Sequence, residues 1–330
     1  MRIVKAKSKL WNEELSPVQK IEKVARVCYK SEDKITSDSA NRMVKSLIKN
    51  KHFAMLEHSS LCVEVSNKTY EYWKGIQRTM EDNGVKTFLR FTHVNRWLIS
   101  GNIRAWRDAL HFVSDCIPES FYKILISDMY YILFVDVLYE MGVSNENQSV
   151  YTLVDTSKLS GIEADVHKDV TAHFICDRGV SHEIVRHRPC SFAQESTRYC
   201  NYSNDKFGRE LTIIEPLFFV VNDAEYQIWK QLCMQSEDAY FKLLDNGATP
   251  QEARDVLPRS VKTEIVVTCN LGEWKHFFNL RACGATGMPH PQMLEVSIPL
   301  LSEFKSYIPN TFDNFEVPDK YLEVIAYDAH

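Results

Sequence analysis

DVTAHFICDRGVSHEIVRHRPCSFAQESTRY, residues 169–199, changes its period part-way along. DVTAHFIC (169–176) reads as a strand, and RGVSHEIVRH (178–187) as a turn followed by a short helix. Beyond it, residues 186–199 crowd three arginines, a histidine, two serines and a tyrosine together. Guanidinium forks grip phosphate and carboxylate in a bidentate way, so Arg186, His187, Arg188 and Arg198 suit a nucleotide phosphate beside a polar ring system. The intervening Pro189, Cys190, Phe192 and Ala193 are not surface-like, which favours a lined pocket over a solvated cationic face.

Working outward, TEIVVTCN (263–270) reads as another strand and LCVEV (61–65) alternates as a third. LGEWKHFFNLRAC (271–283) and QMLEVSIPLLSEF (292–304) read as helices, as do residues 17–30, 40–49 and 224–246. ISGNIRAWRDALHFV (99–113) looks helical after the turn signal at Gly101-Asn102, and residues 120–141 read as one long apolar helix. ATPQEARDVLP (248–258) has a helix start, with Thr249 as N-cap, Pro250 at the first position and Glu252 completing a capping box, and a stop at Pro258. Helices outnumber unevenly spaced strands, so the expected class is α+β, a mixed or antiparallel sheet with flanking helices. There is no GxGxxG or Walker loop, and with only 11 glycines a Rossmann or P-loop mechanism is not expected.

The 330 residues show no repeat, low-complexity stretch or linker, so one domain over residues 1–330 is the simplest reading. A formal net charge of −5 argues against a nucleic-acid partner and makes the basic cluster a local feature suited to a small anion. Nine scattered cysteines without a CxxC pair fit neither a disulfide framework nor a zinc ribbon. The chain has no run of about 18 apolar residues and no signal-peptide pattern at its start, so no membrane association is expected. The expected location is cytoplasmic, in the host cytoplasm if the source is viral. In HEIVRH (182–187) the histidines are five apart, roughly 140° on a helix, so they cannot share a metal and no metal site is expected. Cys190 reads as a small buried hydrophobe rather than a nucleophile, and Ser196 as a ligand contact. On the 271–282 helix, Asn270 and Arg281 project from the same side and His276 from another, so that one helix reaches two ligands or two subunits' sites. Arg254, alone, reads as a surface residue.

Taken together these residues resemble the flavin-dependent thymidylate synthases. The RHR triplet Arg186-His187-Arg188, seven residues and Ser196 match the family signature. LEHSS (56–60), EARDVLP (252–258) and HFFNLR (276–281) look like three further family elements in the family's order. The resemblance implies a thymidylate synthase-complementing-protein-like fold with a helical insertion at about 62–172, roughly 110 residues by motif spacing. It implies reductive methylation of dUMP to dTMP with methylenetetrahydrofolate as carbon donor, FAD as hydride carrier and NADPH as reductant, in a homotetramer with sites across subunits. By position, FAD is met by Ser60, Arg186, His187, Arg188, Gln194, Asn270, Leu271, Gly272 and His276. The dUMP is held by Glu183, Ile184, Val185, Arg186, Gln194, Glu195, Ser196, Thr197, Arg198, Arg254 and Arg281, partly through backbone. Arg281 is the catalytic residue, activating C5 of uracil without a cysteine nucleophile.

Two departures stand out. Ala193-Gln194 occupies a place where many members have Asn-Glu, and RACGATGMPHPQ (281–292) is longer than usual and rich in turn residues. Three alternatives stay open from the sequence: a nucleotide- or RNA-binding module without chemistry, an inactive member that still binds FAD and dUMP, and a synthase with Cys190 as nucleophile.

Overall fold

The structure, a computed structural model, describes residues 1–113, 116–139, 141–144, 150–197, 202 and 208–326. At its centre is an antiparallel sheet in the order Ser191–Gln194, Lys262–Asn270, Asp169–Asp177, Lys7–Trp11. The two middle strands pair along their whole length, from Asp169 opposite Asn270 to Asp177 opposite Lys262. Alternation then decides which side each residue takes. Val170, Ala172, Phe174 and Cys176 are at most 5% exposed and face a core shared with Trp274, Phe277 and Phe278 of helix Leu271–Arg281 and with helix Pro291–Tyr307.

The opposite face carries a polar layer. The Thr268 hydroxyl meets Thr171 Oγ1 at 2.7 Å and His58 Nδ1 at 2.8 Å. Ala193 and Val266 on this face join a second core with helix Pro17–Tyr29. That helix starts with Pro17 at its first position and a Ser16/Gln19 capping box, and it stops at Lys30, whose φ of 51° is left-handed.

The second core continues into a further antiparallel sheet, Arg90–His93, Trp97–Asn102, Ser60–Val65 and Thr152–Leu153. Trp73, Trp106 and Phe121 pack edge to face there, and Trp73 Nε1 donates to the Tyr151 hydroxyl at 2.8 Å. Two short parallel pairs, Arg2–Val4 with Thr212–Ile214 and Cys116–Pro118 with Gly142–Ser144, complete the sheets among the described residues. The α+β expectation therefore holds. No helix among the described residues is long and apolar enough to cross a membrane.

Two elements differ from the sequence reading. Residues 120–141 are not one helix but two, Glu119–Leu125 and Tyr131–Leu138. Ser127 makes the break: its hydroxyl donates back to the Ile124 carbonyl at 2.7 Å, while its own carbonyl accepts from the amides of Tyr130 and Tyr131. In 99–113 only Ile103–Leu110 is helical. Trp97–Asn102 is a strand, and the Asn102 side chain caps the helix by accepting from the Ala105 amide at 2.8 Å.

The two sheets are tied by Arg90, which donates to both oxygens of Asp169 at 2.6 and 2.7 Å. Burial alone would raise the Asp169 carboxyl, but Arg90 and then Lys20 outweigh it and hold it below the usual carboxylate range. The folded carboxyl gives up its proton more readily than the unfolded one, so the pair stabilises above the usual range. That contribution is lost as the pH falls through the depressed folded value. Arg90→Met should therefore lower the unfolding free energy at neutral pH by about 3 kcal/mol in urea denaturation. The deficit should shrink below about pH 4, and an equal deficit at both pH values would rule out the ion pair as its source.

Candidate functional site

Helix Arg178–Ile184 leaves one end of the central strand pair and helix Leu271–Arg281 leaves the other. The strands span about 30 Å and the two helices together about 27 Å, so helices folded back over the sheet from opposite ends meet at their C-termini. At that meeting point Arg281 donates Nη1 to Glu183 Oε2 at 2.9 Å, Nη2 to the Glu183 carbonyl at 3.3 Å and Nε to His187 Nε2 at 3.2 Å. A cation at the last turn of a helix is favoured by the helix dipole. Ser297 fixes the other helix end by donating its hydroxyl to the Arg281 carbonyl at 2.7 Å.

His187 is 6% exposed and lies edge-on to His276 at 5.7 Å and to Phe277 at 5.0 Å between ring centres. A guanidinium has no acceptor, so His187 Nε2 must accept and the ring is neutral with its proton on Nδ1. Burial, then the neighbouring Arg281 and His276, push its pKa down to about 4. His276 and Arg281 thus converge on one imidazole, although they leave their helix in different directions. Asn270 does not project beside Arg281 as the spacing suggested. It is the N-cap of the helix, with Oδ1 accepting from the Glu273 amide at 2.9 Å and Nδ2 donating to the Val166 carbonyl at 3.2 Å.

The segment after the RHR triplet is held from both faces of the sheet. Gln194 Nε2 donates to Ser181 Oγ at 2.9 Å and Thr263 Oγ1 at 3.1 Å. Glu195, 1% exposed, accepts from Lys262 Nζ at 2.9 Å and the Tyr202 hydroxyl at 3.2 Å. Lys262 also donates to Glu264 Oε1 at 2.6 Å, and Lys30 pairs with the same carboxylate at 2.5 Å. Burial alone would raise the Glu264 carboxyl, but His173, Lys262 and Lys30 hold it well below the usual range. Sequence reading singled out Gln194 and Glu195 but not Ser181, Thr263, Lys262 or Tyr202, because nothing local marks them as partners.

The remaining candidates divide by exposure. Ile184 and Leu271 are core residues, each 1% exposed, whereas Val185 is at the surface. Arg186, Arg188 and Arg254 are exposed and, among the described residues, none of their side chains makes a hydrogen bond or ion pair; no contact joins Arg254 to the Arg281 cluster. Ser196 is half-buried and Thr197 buried, while Arg198 and Tyr199 lie outside the described residues. Gly272 sits against the Asp165 carbonyl, which an added Cβ would approach to 3.2 Å. Ser60 is not gathered with the others: it opens the Ser60–Val65 strand beside Asp169, on the polar face of the central sheet, away from Arg281. Cys190 is buried in the apolar core with Cys269. Among the described residues, no three of His, Cys, Asp and Glu gather as a metal site, and His182 is exposed.

Residues 143–310, just over half of the chain, match the family described as thymidylate synthase complementing protein. The chain belongs to that family. Among curated relatives, the flavin-dependent thymidylate synthase of Pyrococcus furiosus is 38% identical over 109 residues, 33% of this chain and 43% of that one. The protein of the same description from Thermococcus onnurineus is 36% identical over 124 residues, covering 36% and 50%. That from Geobacter sulfurreducens is 38% identical over 106 residues, covering 32% and 44%. The chain thus spans about half the length or less of these relatives. A crystal structure described as a UMP/dUMP methylase, PolB from Streptomyces cacaoi bound with 5-Br dUMP, aligns with 14% identity and a TM-score of 0.41, over 95% of this chain and 96% of that one.

In this member of the thymidylate synthase complementing family, the RHR segment, EARDVLP and HFFNLR fall inside the matched residues, and LEHSS precedes them. The Arg281–His187 contact thus joins two of the matched elements. The depressed His187 pKa gives a test. The native ring resists a proton that the unfolded ring accepts near pH 6.5, so its contribution to stability falls as the pH drops from about 6.5 towards about 4. Nitrogen chemical shifts should show His187 neutral, with the proton on Nδ1, at pH 6. A protonated ring at that pH would contradict the assigned geometry.

Proposed function

We propose that the protein is a flavin-dependent thymidylate synthase, methylating dUMP to dTMP with methylenetetrahydrofolate, FAD and NADPH. The observation that carries this reading is the Glu183–Arg281–His187 contact, which brings the RHR signature and the HFFNLR element into one polar cluster. The donor set fits the cofactor: Arg186 and Arg188 are exposed cations whose side chains have no hydrogen-bond or ion-pair partner among the described residues, suited to a pyrophosphate, and His276 is exposed beside His187 of the same triplet. Held there and reduced by NADPH, the flavin would supply the hydride that completes the methyl group.

The chain's own residues do the rest. Arg281 offers N–H groups already aligned by Glu183 and His187, and a uracil oxygen placed against them gains negative charge. That favours an N3-deprotonated or enolate-like ring and raises electron density at C5. Neutral His187 keeps Arg281 oriented without competing for that charge. Gln194, Glu195, Ser196 and Thr197 meet the nucleotide chiefly through backbone, since the Gln194 and Glu195 side chains are held by Ser181, Thr263, Lys262 and Tyr202, and Arg198 and Arg254 neutralise its phosphate. Ser60 lies on the other face of the sheet, so in a homotetramer with sites across subunits its cofactor contact comes from a second protomer. The chain read as one domain with its insertion at about 62–172 is part of the same proposal. No cysteine is needed as nucleophile.

The first measurement is the visible spectrum of the protein after FAD loading and removal of the excess, repeated with dUMP, followed by the dTMP assay. A retained flavin band perturbed by dUMP is expected, and no retained band in folded protein would sink the reading. Arg281→Ala should lose turnover by about a hundredfold or more while keeping its flavin. Cys190→Ser should retain substantial activity, and abolition there would favour a thiolate mechanism.

A further inference from the structure

Helix Ala224–Asp245 turns Tyr226, Cys233 and Tyr240, spaced seven apart, into the core, each at most 4% exposed. A second stripe points away from it. Glu225, Ile228, Leu232, Gln235, Ala239 and Lys242 follow one another in alternate steps of three and four, the spacing of a coiled-coil seam. Ile228 is 69% exposed and Leu232 57%, and Phe218, Val220 and Val221 extend the apolar surface at the start of the helix. One exposed leucine is ordinary, but an apolar seam left open along a helix of 22 residues marks a contact surface. The seam is also charged at its ends. Glu225 and Lys242 are exposed and, among the described residues, neither side chain has an ion-pair partner. A parallel pairing with a second copy would set each of them against its own kind. An antiparallel pairing, centred between Cys233 and Met234, instead sets Glu225 against the partner's Lys242, Ile228 against the partner's Ala239 and Leu232 against the partner's Gln235, each contact occurring twice about a twofold axis.

We infer that this face of helix Ala224–Asp245 pairs, antiparallel and about a twofold axis, with the same face of a second copy of the chain. The inference deepens the proposed homotetramer, on which it rests, by assigning one of its contacts and the register of that contact. The test is sedimentation over a concentration series of wild type, Leu232→Glu, Lys242→Glu, the double variant Glu225→Lys with Lys242→Glu, and Met234→Glu. Met234 is 51% exposed on another side of the helix and serves as the control. Leu232→Glu and Lys242→Glu should each weaken association about tenfold or more, and the double variant should recover most of the loss. Met234→Glu should associate as the wild type does. Unchanged circular dichroism shows that the losses are not unfolding.

Recovery in the double variant supports the antiparallel register, because a parallel pair would still hold like charges opposite each other. A wild type that stays monomeric, association indifferent to Leu232→Glu, a double variant no better than Lys242→Glu, or an equal loss in Met234→Glu overturns it. Failure of the helix pair and failure of the homotetramer look different. A wild-type tetramer that Leu232→Glu leaves intact removes the pair alone. A wild type that stops at a dimer, which Leu232→Glu and Lys242→Glu dissociate, removes the tetramer and keeps the pair.

Discussion

The antiparallel pairing of Asp169–Asp177 with Lys262–Asn270 places everything else. Each strand runs directly into a helix, so the register of the pair sets where both helices start and therefore where both end. A slip of one residue would turn Val170, Ala172, Phe174 and Cys176 out of their core and bring Thr171 and His173 into it. It would also separate Arg281 from Glu183. The apolar face that makes the register obligatory is thus the same feature that assembles the polar cluster on top of it.

On the other side of the sheet, the pairing organises charge rather than apolar surface. Glu195, Lys262, Glu264 and Lys30 alternate in sign and are joined by short contacts, with the His173 ring beside Glu264. Lys30 ends the first long helix in a left-handed conformation that points the chain away while its side chain stays with Glu264. The network therefore links the N-terminal helix to the segment that follows the RHR triplet. Removing one member would leave another charge buried and uncompensated, which is why such networks hold geometry more firmly than any single pair.

Much of this was legible from residues alone, because the signals involved are local. Strand alternation in 169–176 and 263–270, the apolar period of 17–30 and the capping box at Thr249 each act within a few residues, and each appears where expected. The long helix at 120–141 failed because apolar composition does not register a serine hydroxyl competing for a backbone carbonyl, as Ser127 does. The Trp97–Asn102 strand was missed because its identity comes from pairing with Ser60–Val65, not from its own pattern. In the site, the cationic and polar residues could be named in advance but not their partners. Arg281 and His187 are 94 positions apart, and Gln194 and Thr263 are 69 apart. Such contacts follow from the register of the sheet, which a linear reading does not contain.

The Arg281–Glu183 pair also governs how a ligand can enter. The guanidinium is not waiting as an open charge: a carboxylate, a carbonyl and an imidazole already occupy three of its five N–H donors. Whatever settles against it either takes the N–H groups these three contacts leave over or displaces one of the acceptors. A weak acceptor gains little from that exchange, whereas a ring able to take up negative charge gains much. The internal carboxylate thereby competes with an incoming acceptor for the same cation.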